Sequence, residues 1–158
     1  LIQRLQNSRQ DYRIRFALVL SDPAFSDVKH TLKYMKYSNK EITVISQMIK
    51  YRNAPISTKI DILYLLKDMS CDFMQYLNYR EAYDLTPYEQ SFHIYQSIIQ
   101  NNDCYSLKQL QINGKDMIAL GYTGKDISLH LNQLLNAVIE EKTANNKEKL
   151  IAYLQTIN

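Results

Sequence analysis

Glycine is scarce in this chain. Among 158 residues there are three, Gly114, Gly121 and Gly124, and all lie in one eleven-residue stretch. A chain so poor in glycine keeps one where a side chain would be strained or would collide. Tryptophan is absent, and there are two cysteines, Cys71 and Cys104, without metal or redox spacing. They read as buried thiols in a reducing compartment. No apolar run is long enough to cross a membrane, so no membrane partner is expected. Strand-like alternation is nearly missing too, which argues against a sheet.

Paired carboxylates are also lacking. Metal-dependent nucleotidyl or phosphoryl transfer needs clustered acids to hold cations, and no Asp-x-Asp or Glu-x-Asp pair occurs. Glu140-Glu141 reads as a solvated helix end. The two Gly-Lys-Asp triplets, at Gly114 and Gly124, lack the spacer and the Lys-Ser/Thr pair of a P-loop. His30, His93 and His130 are scattered, with no second ligand at helical spacing. No catalytic residue, metal site or cofactor is therefore assigned to this chain, and it is expected to be inactive alone.

What is abundant is helical periodicity. Phe25, Val28, Leu32 and Met35 share one helix face, with Ser26 as its cap. Ser38 or Asn39 caps a helix whose inner face is Ile42, Ile45 and Ile49. Ser57 caps a third, with Ile62, Leu65, Leu66 and Met69. Phe73, Tyr76, Leu77 and Tyr79 mark a fourth, over Asp72 to Tyr83. Thr86-Pro87 has the cap-then-proline order that restarts a helix, with Phe92, Tyr95, Ile98 and Ile99 behind it. Ile127, Leu131, Leu134 and Val138 form the cleanest amphipathic stripe. Leu150, Ile151, Leu154 and Ile157 close the chain. The fold class is all-α: a multi-helix body over 1–103 and a helical tail over 104–158, with short connections and no sheet.

Charge is unevenly distributed. Residues 1–60 hold 11 Lys and Arg against 4 Asp and Glu; residues 61–158 hold 8 against 12. Lys29, Lys33, Lys36 and Lys40 recur at i, i+4, i+7, i+11, along one helix side and past its end. Arg9 and Arg13 repeat at i, i+4. Such a line can follow a phosphate backbone. Tyr12, Tyr34, Tyr37 and Tyr51 interleave and could stack on bases. The same spacing suits an ordinary solvated face, and the tyrosines suit half-buried core positions. At the glycines, Gly121 reads as a helix C-cap and Gly124 as a close approach of two backbones. Gly124 and Lys125 are candidates for phosphate capture at a helix start, and Lys115 is a further candidate for binding RNA.

The run Leu110-x-Ile112-x-Gly114-x-Asp116-Met117, then Leu120-Gly121 and Gly124-Lys125-x-Ile127, resembles the C-terminal region of bacterial CCA-adding enzymes, the tRNA nucleotidyltransferases of the poly(A) polymerase-like class. Leu131, Leu134-Leu135, Val138, Asn145-Asn146-Lys147 and Leu150 continue the likeness. Phe16 to Leu20 and Tyr37 to Ile42 resemble the helical region that follows the neck in the Gram-positive type. The resemblance is most specific over Leu107–Leu150 and extends more weakly from about Asp11 to Asp103. In that family a head carries the metal-binding carboxylates, and a neck motif selects CTP or ATP. Gln10-Asp11-Tyr12-Arg13-Ile14 has the neck's Asp but neither its Glu nor its Arg.

The resemblance therefore implies a body and tail that bind tRNA by shape and backbone, in a cytoplasmic enzyme. Head and neck domains would belong to the same parent chain, and Mg²⁺ to that head. A start at Leu1 followed by Arg4, Arg9, Arg13 and Arg15 fits a piece of a longer protein. Two alternatives are a helical protein-interaction module without RNA, and the same region of a poly(A) polymerase.

Overall fold

Side chains that accept backbone N–H groups set most helix starts. The structure is a computed structural model that describes residues 1–157, without the side chain of Ile157. The described residues form ten helices and no strand: α1 (Ile2–Asn7), α2 (Tyr12–Leu20), α3 (Val28–Tyr34), α4 (Asn39–Lys50), α5 (Lys59–Asp68), α6 (Phe73–Asp84), α7 (Glu89–Gln100), α8 (Gly114–Ala119), α9 (Lys125–Ile139) and α10 (Lys147–Ile157). Asp11, Asp27, Ser38, Thr58, Asp72 and Asn113 each cap the following helix by accepting a first-turn N–H. The all-α reading of the sequence holds.

Three caps differ from the sequence reading. Asp27, not Ser26, caps α3, which leaves Phe25 ahead of the helix and exposed. Thr58, not Ser57, caps α5, because Thr58 has Asp61 at the third helical position to return the bond to its own N–H. Thr86 caps nothing. The N–H of Tyr88, just before α7, is taken by Oε1 of Glu81 at 3.1 Å, and the Thr86 hydroxyl donates to the Asp84 carbonyl.

Helix ends explain the glycine count. Four helices, α3, α7, α8 and α9, finish in the same paired-bond turn, which needs one residue with left-handed φ. That residue is Lys36 (φ 61°), Asn102 (52°), Gly121 (93°) and Glu141 (57°) respectively. At α8, for example, the Gly121 N–H reaches the Ile118 carbonyl at 2.9 Å and the Tyr122 N–H reaches that of Met117 at 3.0 Å. Only one of the four positions is glycine.

The core is one connected cluster of buried side chains running from Ile14 to Leu154. In it α2 lies against α4 and α6, α3 against α4, and α5 against α7 and α9, with α8 and α10 flanking α9. Leu32, Ile45, Met48, Ile62, Tyr76 and Tyr79 are fully enclosed. Arg80 is enclosed as well. Its guanidinium donates to the Ala54 carbonyl and the Tyr76 hydroxyl, both at 2.8 Å, and to Asp84 at 2.9 Å. Burial works against its charge, but the bonds to Asp84 and Tyr76 outweigh that and hold it protonated.

Downstream of α7, Asn145 fixes a non-helical segment of turns and bends. Its side chain accepts from the Gln111 N–H and donates to the Gln109 carbonyl, both at 2.9 Å. One amide thereby satisfies two backbone groups that have no helix to join. Lys147, at the start of α10, pairs with Asp116 of α8 at 2.6 Å.

Candidate nucleic-acid interface

The lysine line is real but not continuous. Leu32 anchors α3 in the core, which turns Lys29 and Lys33 outward on one face, four residues apart. The helix then stops. Lys36 takes the left-handed position that lets its own N–H and that of Tyr37 satisfy the Lys33 and Leu32 carbonyls. Lys40 sits on the first turn of α4, within the Ser38–Glu41 capping box. Counting 3.6 residues per turn through this break would align residues that belong to two helices. All four lysines are exposed, and none makes an ion pair with a described carboxylate.

Packing of α3 on α4 creates a groove of about 620 Å³ that the linear spacing did not indicate. Lys29 and Lys33 form one wall. The polar face of α4 forms the floor, with Thr43, Ser46 and Gln47. Lys50 and Asp68 close one end. Most of the polar groups inside are committed. The Thr43 hydroxyl donates to the Asn39 carbonyl at 2.8 Å. The Gln47 amide holds the backbone of Ser70 and Cys71 and the Ser70 hydroxyl. The Ser46 Oγ is buried without a hydrogen-bond partner among the described residues. The Lys50 ammonium donates to the Tyr51 hydroxyl at 3.0 Å, and this bond raises its pKa further. Lys50 and Ser46 were missed as candidates. Both follow Asn39 and Thr43 at helical spacing, but they join Lys29 and Lys33 only through tertiary packing.

The arginine pair does not share a helix. Arg9 lies in the bend between α1 and α2, whereas Arg13 belongs to α2. Arg13 is also occupied, because Nε and Nη2 each reach Asp11 at 3.1 Å. Asp11 additionally accepts from Gln75 at 2.6 Å. Burial alone would raise the Asp11 pKa, but the bonds from Arg13 and Gln75 bring it below its ordinary value. The residue that resembles the neck motif's Asp is here a cap and a tie to α6. Among the tyrosines, Tyr37 packs edge-on against Phe16 with ring centroids 5.3 Å apart. Tyr12 donates its hydroxyl to Glu41. Tyr34 alone of the four is almost fully open, at 83% exposure.

The three glycines prove unlike one another. Gly121 closes α8. Gly124 precedes α9 at φ 54°, ψ −126°, a conformation open to little besides glycine. A Cβ there would meet nothing within 4 Å, so its role is conformational and not the close backbone approach expected. Gly114 has no left-handed φ, and a Cβ would make an ordinary 3.8 Å contact with Ile127. Lys115 and Lys125 are both exposed, on different helices. The first turn of α9 has no side-chain cap and carries Asp126 beside Lys125, which weakens its appeal to an anion.

Other chemistry-bearing groups stay apart. Both thiols are free and buried, and burial pushes that of Cys71 up to about 11 and raises that of Cys104. His30, His93 and His130 sit on α3, α7 and α9. Glu140 accepts from Tyr64 and pairs with Lys142, so it is not simply solvated. No group of three or more His, Cys, Asp or Glu among the described residues could hold a metal ion. The Mg²⁺ implied by the family resemblance thus finds no donor set in them. No helix among these residues is long and apolar enough to cross a membrane.

A family model for tRNA nucleotidyltransferase domain 2 matches residues 7–154. No curated protein and no solved structure matches the chain.

Proposed function

The chain belongs to the tRNA nucleotidyltransferase domain 2 family, and from that premise we propose that it is the tRNA-binding body and tail of a bacterial CCA-adding enzyme of the Gram-positive type. Residues 1–103 form the body and residues 104–158 the tail. They hold the acceptor arm and elbow while a head and neck of the same parent, with Mg²⁺, add CMP and AMP to the 3′ end. The setting is cytoplasmic.

The observation that carries this reading is the unpaired cationic surface of Lys29, Lys33, Lys36 and Lys40 within a chain of this family. Exposed ammonium groups suit duplex RNA, which is recognised chiefly through backbone and shape. Arg9, Lys115 and Lys125 are further exposed cations available to the same partner.

The test is binding of tRNA to the whole chain over a range of salt. We expect a complex whose affinity falls steeply with salt, and a shallower fall once the four lysines are Gln. Absence of any complex at low salt would overturn the reading. Nucleotide addition by the isolated chain is expected to be undetectable, and robust addition would overturn the assignment of the chemistry to a head.

The exposed side chains of Ile118, Leu120 and Leu129 favour one other reading, a helical protein-interaction module without an RNA role. Within the family, the same region of a poly(A) polymerase would look alike, because nucleotide choice is made in head and neck.

A further inference from the structure

We propose that the groove between α3 and α4 is a discrete phosphate site, which takes consecutive phosphodiesters of one RNA strand between Lys29 and Lys33 on its wall, Ser46 on its floor and Lys50 at its end. This rests on the RNA-binding reading and assigns that reading a place.

Three features single the groove out from the rest of the basic surface. Its lysines come from two helices and converge on one concavity of about 620 Å³, with Asp68 the one carboxylate in the lining. A concave cationic surface focuses potential more strongly than a convex one. Its floor holds an orphan, the buried Ser46 hydroxyl, which has no partner among the described residues. A buried hydroxyl without a partner is unfavourable, and a phosphate oxygen admitted by a small shift of the flanking side chains would accept its proton. Of the neighbouring donors, the Thr43 hydroxyl is given to the Asn39 carbonyl and the Gln47 amide nitrogen to the Ser70 hydroxyl. The polar face of α4 from Asn39 to Lys50 also extends about 16 Å at 1.5 Å per residue. That is long enough for more than one backbone phosphate.

The geometry separates Lys50 from the four lysines that sequence spacing links. It also gives Asp68 a defined effect, which is to repel the strand at the groove's end. Removing that carboxylate should improve binding, an outcome that loss of structure does not produce.

The experiment measures tRNA binding to the full chain over a salt series, for the native protein and for Lys50→Gln, Ser46→Ala and Asp68→Asn. Lys50→Gln should weaken binding about fivefold and lower the salt slope by roughly 0.7 to 0.9, one phosphate contact. Ser46→Ala should weaken binding without changing the slope, since it removes no charge. Asp68→Asn should tighten binding about threefold to fivefold at low salt. If the native chain binds tRNA and all three variants match it, the groove assignment fails and the RNA reading stands. If the native chain does not bind, the RNA reading itself fails, and the groove assignment with it. A parallel titration with inorganic phosphate follows the Ser46 amide by NMR. Saturable, Lys50-dependent shifts there, with tRNA binding unaffected by the variants, would identify a site for free phosphate and overturn the backbone assignment.

Discussion

The phenol of Tyr64 on α5 donates a 2.6 Å hydrogen bond to Oε1 of Glu140 at the end of α9. One turn along α5, the Lys67 ammonium reaches the Asn136 side-chain carbonyl at 2.7 Å. Together these ties fasten the last helix of residues 104–158 but one to the middle of residues 1–103. Burial and the bond to Glu140 push the Tyr64 phenol up to about 12, while Lys142 and then Tyr64 hold Glu140 low. Tyr64→Phe keeps the ring and removes only the donor. It should lower the thermal midpoint by about 2 to 4 °C, and Tyr64→Phe with Lys67→Met should lower it further. A midpoint unmoved in calorimetry by the double variant would show that the two halves are held by apolar packing alone.

The glycine segment makes a three-way prediction. Gly121 and Gly124 sit at positive φ and Gly114 does not. Gly114→Ala places a methyl group in ordinary contact with Ile127 and removes unfolded-state freedom, so it should stabilise by about 0.5 kcal/mol. Gly121→Ala and Gly124→Ala should each destabilise by about 1 kcal/mol or more. Urea unfolding of the three variants checks the order. Equal losses at all three positions would contradict the conformational reading.

Much of this architecture was legible in the chain, and the misses have identifiable causes. Apolar spacing located the faces of α4 and α6 because Ile42, Ile45, Tyr76 and Tyr79 meet the core at helical intervals. The caps of α3 and α5 lie one residue beyond the sequence reading, where neighbouring Ser, Thr and Asp compete; at α5 the returning bond from Asp61 favours Thr58, and at α3 the Asp27 carboxylate takes the His30 N–H. The α7 cap failed because its N–H partner, Glu81, comes from the preceding helix. The candidate site was half visible. Spacing gives Lys29 and Lys33, but Lys50 enters through the docking of α3 on α4, a tertiary fact with no local signal. The left-handed turn at Lys36 was hidden for another reason. Such turns advertise themselves by glycine, and three of the four paired-bond helix ends among the described residues use something else.

Lys36 is the most informative of those three. A lysine at φ 61° costs about 1 kcal/mol relative to glycine at the same place. Lys36→Gly should therefore raise the urea midpoint, with a gain of roughly 0.5 to 1 kcal/mol. It should also weaken tRNA binding if the cation there faces RNA. Opposite signs in the two measurements would identify a residue kept for its charge against the preference of the turn. A stabilised variant with unaltered binding would remove Lys36 from the interface.

Acid should act first where carboxylates hold helix starts. The hydroxyl and N–H of Ser38, then the Tyr12 phenol, bond to Glu41 and bring its pKa from 4.5 to about 2. Asp11 and Asp116, which also serve helix starts, are lowered as well. A carboxyl whose folded pKa lies below its unfolded value stabilises the fold fully above the unfolded value, and that contribution disappears as pH falls through the folded one. For Glu41 the window runs from about 4.5 down to about 2. Stability measured by urea should thus be level between about pH 7 and 5 and decline below about 4.5. Glu41→Gln should lower the midpoint at neutral pH and make the acid decline shallower, since the variant has less to lose. A parallel downward shift at every pH would mean that the capping geometry, and not the charge of Glu41, sustains the start of α4.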